Sequence, residues 1–256
     1  MKASKRQLAV ARGLGSRKGR EESGLFAVEG ARLCEELLDS GAPVEFLLLS
    51  EFADSAARRV AAEFEERKIP ILETAEFEFD KISDTVHSQG LLAAARWQER
   101  RWADLKFGPR AVALALDSVS DPGNVGTVIR TAAWFGVDAV LLGRGSADLL
   151  NPKTVRATMG GMFHLPVCRD VPLAEALARL KGQGFALGAG TMDGATEWSA
   201  WARSSRAALL LGSEAHGIAP ELQALADARY TIPSRGAGES LNVAVSAGIF
   251  LAAVSG

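Results

Sequence analysis

Ala111-Val-Ala-Leu-Ala-Leu-Asp-Ser-Val-Ser-Asp-Pro-Gly-Asn-Val-Gly-Thr-Val-Ile-Arg130 runs from an unbroken apolar stretch through a polar loop into a helical pattern. Ala111–Leu116 reads as a strand covered on both faces, because it lacks the polar alternation of a half-exposed strand. Asp117–Gly123 is the loop, and Asn124–Phe135 reads as the helix, with Asn124 expected as its N-cap. Val125, Val128, Ile129, Ala132 and Phe135 fall on one side at helical spacing. Arg130 lies on the opposite side, with Thr127 and Trp134 on its face. A guanidinium beside an aromatic ring, just below a helix N-terminus, suits a phosphate; the plain alternative is a capped helix with a solvated arginine.

Further apolar runs follow at Ala139–Leu142, Leu165–Cys168, Phe185–Ala189, Ala207–Leu211 and Tyr230–Pro233. Helical patterns fill the gaps, including Leu173–Gln183 and Asn242–Val254. The last is apolar nearly all round, which predicts a buried helix. The fold class expected here is α/β: an open, mostly parallel sheet with helices on both faces, which places ligands at the carboxyl ends of its strands. Upstream, strands are expected at Phe26–Val28, Val44–Leu49, Ile69–Leu72 and Gly90–Ala95, and helices at Ala31–Ser40, Asp54–Arg67 and Thr74–Ile82. These form a second, smaller α/β domain. A charged segment with two tryptophans, closed by Phe107-Gly-Pro-Arg110, marks a linker at about 97–109.

The chain has 256 residues, 48% of them hydrophobic and 23% charged, the range of a globular protein with a sizeable core. No apolar run reaches the ~18 residues of a membrane span, and the basic start is not followed by the apolar stretch of a secretory signal. Cys34 and Cys168 stand alone, without metal or disulfide spacing, so a reducing cytoplasm is expected. The net charge of −2 hides an asymmetry: residues 1–20 carry seven basic side chains and no acid, whereas residues 21–95 carry 6 basic and 17 acidic ones. A basic arm on an acidic body suggests a polyanionic partner; a solvated terminus is the plain alternative.

Two more segments carry candidate chemistry. In Leu209-Leu-Leu-Gly-Ser-Glu-Ala-His-Gly217, a strand runs into Gly212, with Glu214 and Gly217 after it, and such glycines let a ligand approach the backbone. In Ile232-Pro-Ser-Arg-Gly-Ala-Gly-Glu-Ser-Leu-Asn-Val-Ala-Val245, a glycine-bearing loop leads to an apolar helix started by Ser240 or Asn242. Gly188-Ala-Gly190 offers only half of a dinucleotide fingerprint, and no P-loop lysine is present, so a nicotinamide oxidoreductase is not supported.

Taken in order, Asn-x-Gly-x3-Arg, Gly-x-Glu-x2-Gly and Ile-Pro-x2-Gly-x3-Ser-Leu-Asn-Val resemble the SpoU (TrmH-type) branch of the SPOUT RNA methyltransferases. The likeness covers about residues 107–256 and includes Asn151-Pro-Lys-Thr-Val-Arg-Ala-Thr-Met-Gly-Gly-Met-Phe-His-Leu-Pro166. Residues 21–96, with Leu25-Phe-Ala-Val-Glu-Gly30 and His87-Ser-Gln-Gly90, resemble the ribosomal-protein-like RNA-binding domain found in front of many members. The resemblance implies 2′-O-methylation of a ribose in structured RNA from S-adenosyl-L-methionine, with ribosomal RNA favoured over tRNA because the front domain is present. It implies Asn124, Arg130, Glu214, Ser240 and Asn242 as active-site residues, and Gly190, Thr191, Leu211, Gly212, Ile232 and Leu241 around the cofactor. It also implies a trefoil knot and a homodimer. Ser234, Arg235 and Ser246 depart from the family's usual residues. The alternative from another class is an RNA-binding assembly factor without transferase activity.

Overall fold

The computed structural model describes residues 1–195, 198–236 and 240–254. The chain divides into two compact units, one of residues 1–98 and 150–163, the other of residues 99–149 and 164–256.

The first unit begins with α1 (Lys5–Gly13) and α2 (Arg17–Ser23), followed by β1 (Phe26–Glu29), α3 (Ala31–Asp39), β2 (Val44–Ser50), α4 (Ser55–Glu66), β3 (Ile71–Thr74), α5 (Glu76–Phe79) and β4 (Leu91–Ala95). Its four strands are ordered β1-β4-β2-β3, with β2 and β3 parallel and both pairings of β4 antiparallel. Residues 1–20, expected as a basic arm, are folded into helices. Ala11 and Leu14 are buried in the core with Phe46, Leu48, Leu72 and Phe79. Arg20 is buried and donates from Nη1 to the Leu14 carbonyl at 2.8 Å. Arg12 pairs with Glu78 at 3.1 Å. Part of the segment's positive charge is therefore used inside the unit. The helix expected over Thr74–Ile82 shortens to α5.

In the second unit β5 (Ala111–Asp117) leads to α6 (Pro122–Trp134) and β6 (Ala139–Gly143). The chain passes through α7 (Pro152–Thr158), which belongs to the first unit. It returns as β7 (Val167–Val171), α8 (Leu173–Gly182), β8 (Ala186–Ala195), α9 (Ser199–Ala202), β9 (Arg206–Gly212), α10 (Pro220–Gln223), β10 (Ala228–Tyr230) and α11 (Val243–Val254). The six strands form one sheet in the order β10-β8-β9-β5-β6-β7, and every pairing is parallel. β5 sits near the centre because its apolar residues are covered on both sides. α8 packs on β8 and α10, while α11 packs on α6, α9 and β9.

Three expectations are corrected. α6 begins at Pro122 rather than Asn124, with Asp121 as its N-cap, accepting from the Asn124 amide at 2.9 Å; proline at the first helical position explains the earlier start. The strand expected at Tyr230–Pro233 ends at Tyr230. The last helix is not wholly buried: Val243, Ala247, Phe250 and Leu251 face the core, but Val245 is 51% and Ile249 37% exposed.

Both cysteines are fully buried. Burial pushes the Cys34 thiol up to about 12 and the Cys168 thiol to about 11. The thiolate is the reactive form, so at pH 8 neither should react with iodoacetamide while the protein is folded. Mass spectrometry should find both alkylated only after addition of denaturant; rapid labelling of the native protein would contradict this burial.

Candidate active site

The site is built at the carboxyl ends of β5, β8 and β9. Asp117 ends the apolar β5 run and lies in register with Gly212 of β9. Its buried carboxylate accepts from the Ala219 amide at Oδ2, 2.8 Å, and from Ser118 Oγ at Oδ1, 3.0 Å. The loop between these points closes tightly: Gly217 N–H donates to the Ser213 carbonyl at 2.8 Å, and His216 N–H donates to Ser213 Oγ at 3.2 Å. Gly217 has φ +67°, a left-handed conformation that glycine adopts at no steric cost. A Cβ on Gly212 would lie 2.1 Å from the Gly217 carbonyl carbon. The Gly-x-Glu-x2-Gly spacing thus meets the steric demands of this turn, which carries Glu214 just beyond the end of β9. Asp117 was not among the candidate residues. Its signal was an acid closing an otherwise apolar strand.

Because Asp121 caps α6, the Asn124 side chain is released from capping. Its Nδ2 donates to Glu214 Oε1 at 2.5 Å, and its Oδ1 accepts from Asn242 Nδ2 at 2.9 Å. Asn242 Oδ1 in turn accepts from the Ala244 amide at 2.9 Å and the Val245 amide at 3.4 Å, capping α11. One chain of side-chain bonds therefore joins the start of α6, the loop after β9 and the start of α11. The bond to the Glu214 carboxylate is charge-assisted, a class that contributes about 1.5–3 kcal/mol.

Beside this chain lies a cavity of about 580 Å³. Gly190, Thr191, Leu211, Gly212, Ile232 and Leu241 all line it, as do Glu214 and Ser240. Ser234 and Ser246 are also in the wall. Thr191 Oγ1 is buried there with no hydrogen-bond partner among the described residues. A concave site with apolar walls and a few convergent polar groups fits a small organic ligand, and the orphaned hydroxyl supplies an unmet polar contact. Arg130 is elsewhere. It is exposed on the outer face of α6 with Thr127 and Trp134, and it is not part of the cavity wall. The structure thus brings Asn124, Glu214 and Asn242 into contact, sets Ser240 in the cavity, and leaves Arg130 outside it. Ala237, Gly238 and Glu239 of the third segment lie outside the described residues.

Parallel α/β architecture and a cavity at its strand ends define a domain built to bind a small ligand, preceded by an N-terminal module. The chain belongs to the SpoU rRNA Methylase family, whose model matches residues 111–252. The MRM3-like substrate binding domain matches residues 6–93. The chain is 33% identical over 238 residues to the 23S rRNA (guanosine(2553)-2′-O)-methyltransferase RlmP of Bacillus subtilis, covering 93% of this chain and 91% of that one. It is 32% identical to the 23S rRNA (guanosine-2′-O-)-methyltransferase RlmB of Xylella fastidiosa, covering 87% and 88% of the two chains. The crystal structure of an AdoMet-bound rRNA methyltransferase from Sinorhizobium meliloti is similar with TM-score 0.86 and 29% identity, over 99% of this chain and 96% of that one.

Gly212→Ala tests the tight turn. The added methyl must displace the Gly217 backbone, so urea unfolding should show a loss of roughly 1–3 kcal/mol, the usual cost of overpacking. Unchanged stability would mean the 213–217 turn is free to move.

Proposed function

We propose that this chain transfers a methyl group from S-adenosyl-L-methionine to a ribose 2′-hydroxyl in ribosomal RNA. The observation that carries the reading is the Glu214–Asn124–Asn242 bond chain beside the cavity, in a member of the SpoU family. The match of the front module to a substrate-binding domain, and the near full-length likeness to a 23S rRNA methyltransferase, favour ribosomal RNA. The same reading places the protein in the cytoplasm and gives its C-terminal segment a trefoil knot.

When bound, the cofactor supplies an electrophilic methyl on a sulfonium. Gly190, Gly212, Ile232 and Leu241 would hold it largely through backbone and apolar contact, and Thr191 would offer it an unpaired hydroxyl. Glu214 orients the Asn124 amide, which fixes the loops around the cavity, and Ser240 contributes a hydroxyl at the wall. Methyl transfer asks mainly for positioning. Arg130 clamps the phosphate next to the target ribose and polarises its hydroxyl. A guanidinium stays protonated, so the hydroxyl proton leaves to phosphate or water rather than to Arg130.

Arg130 reaches this role in a homodimer. α6 and α11 pack together and expose Trp134 (85%), Val245 and Ile249. Large apolar side chains on adjoining helices favour a second copy there, which sets Arg130 close to the interface.

Mapping 2′-O-methylation in total RNA with and without the protein tests the reading. One ribosomal nucleotide should lose its mark in the deletion strain and regain it on complementation; an unchanged ribosomal map, or a lost tRNA mark, overturns it. Arg130→Ala should slow transfer on the order of 10²-fold, the scale of losing one aligned donor, with cofactor affinity retained by calorimetry. Arg130→Lys should also be slow, because lysine lacks the bidentate fork. Near-normal turnover of the lysine variant would remove a specific guanidinium role.

A further inference from the structure

A second cavity, of about 480 Å³, lies wholly within the first unit. It opens at the carboxyl ends of the parallel strands β2 and β3, where Ser50 and Thr74 end their strands. Lys2, Glu51, Arg58 and Glu73 also line it. None of these residues takes part in the site described above.

Two observations mark it as more than a surface groove. Ser50 is 1% exposed and its Oγ has no hydrogen-bond partner among the described residues. Buried hydroxyls are almost always paired, and an orphan carries a desolvation cost. The walls are also held in place. Arg58 donates from Nε to the Ala53 carbonyl at 3.0 Å and from Nη2 to the Glu51 carbonyl at 2.7 Å. Glu51 Oε1 accepts from the Glu76 amide at 3.0 Å. Backbone pairing of residues 1–3 with Glu73 fixes the Lys2 side of the cleft.

The charge pattern selects the ligand. Glu51 and Glu73 repel a phosphate inside the cleft, whereas a neutral heterocycle with both N–H donors and ring acceptors meets carboxylates and cations together. Phosphate has its own place on the adjoining α1, where Lys5 and Arg6 are exposed and have no ion-pair partner among the described residues. Across the cleft, α5 carries Phe77, 61% exposed, with Lys81 Nζ 4.8 Å from its ring centroid. Glu78 of the same helix, also in the cleft wall, bridges Lys81 and Arg12.

We propose that this cleft is a second RNA-recognition site, which takes an unpaired base from a loop of the substrate RNA while α1 holds the flanking phosphates. Unpaired bases are the readable part of structured RNA. The proposal rests on the ribosomal-RNA methyltransferase reading and locates, within the module that matches a substrate-binding domain, the cleft that selects the base.

The test uses the full-length protein and protein-free ribosomal RNA from a deletion strain, with a fully paired RNA duplex as control. Ser50→Ala removes an unpaired buried hydroxyl, so its thermal midpoint should be equal to or above wild type while affinity for the ribosomal RNA falls about fivefold, the scale of one lost hydrogen bond. Duplex affinity and cofactor affinity should not change. Lys2→Ala, an exposed rim substitution, should weaken the same RNA without loss of stability. The double change Lys5→Ala, Arg6→Ala should lower the slope of log K against log salt by roughly 1.4–1.8, about 0.7–0.9 for each phosphate contact. If wild type methylates this RNA but Ser50→Ala and Lys2→Ala both bind it normally, the cleft proposal is overturned and the methyltransferase reading stands. If they alter self-association in sedimentation instead of RNA affinity, the cleft is a protein interface and the proposal is equally overturned. If wild type neither binds nor methylates the RNA, both readings fall.

Discussion

The side-chain amide of Asn124 is shared between Glu214 and Asn242, and it ties together three segments of the candidate site. The three residues belong to segments 90 and 118 positions apart from Asn124 in the chain. Closing loops of this length costs entropy, so the contacts persist only because the parallel sheet already brings β5 and β9 side by side. The sheet sets the distance, and the amide sets the orientation.

Each partner is held from behind. Asp117 fixes the far end of the loop that carries Glu214, through the Ala219 amide. Asp121 takes over capping of α6 and frees Asn124. Asn242 donates to Asn124 from Nδ2 and accepts from the start of α11 at its one side-chain oxygen. A functional group positioned through such supporting bonds is more rigid than one standing alone on a loop. The same logic operates in the first unit, where buried Glu29 accepts from Ser83, Thr85 and Ser88 and so shapes the loop before β4. The protein thus organises its loops with buried carboxylates, while the Thr191 and Ser50 hydroxyls, each in the wall of one of the cavities described above, have no hydrogen-bond partner among the described residues.

Much of this was legible in the sequence, for physical reasons. The stripe Val125, Val128, Ile129 and Ala132 is buried as its spacing required, and the unbroken apolar runs became an all-parallel sheet. Asn124 was misplaced because asparagine is a strong capping residue, yet Asp121 followed by Pro122 is the stronger start: proline at the first helical position loses no hydrogen bond. α1 and α2 were hidden by their charge, although Leu8, Ala11 and Leu14 repeat at helical spacing. The exposed side of α11 could not be read, because a helix apolar all round carries no periodic signal for which face is covered. The outward side of Arg130 was legible from its place opposite the apolar stripe, but which side of α6 faces the cavity was not, because that depends on how the strand ends and later loops meet in space.

Calorimetric titration of S-adenosyl-L-methionine into wild type and Asn124→Ala tests the central claim most directly. If the shared amide holds the loops around the cavity, the variant should remain folded but bind the cofactor on the order of tenfold more weakly, the scale of losing one charge-assisted bond. Equal affinity in the two proteins, together with equal methyl transfer, would contradict the account.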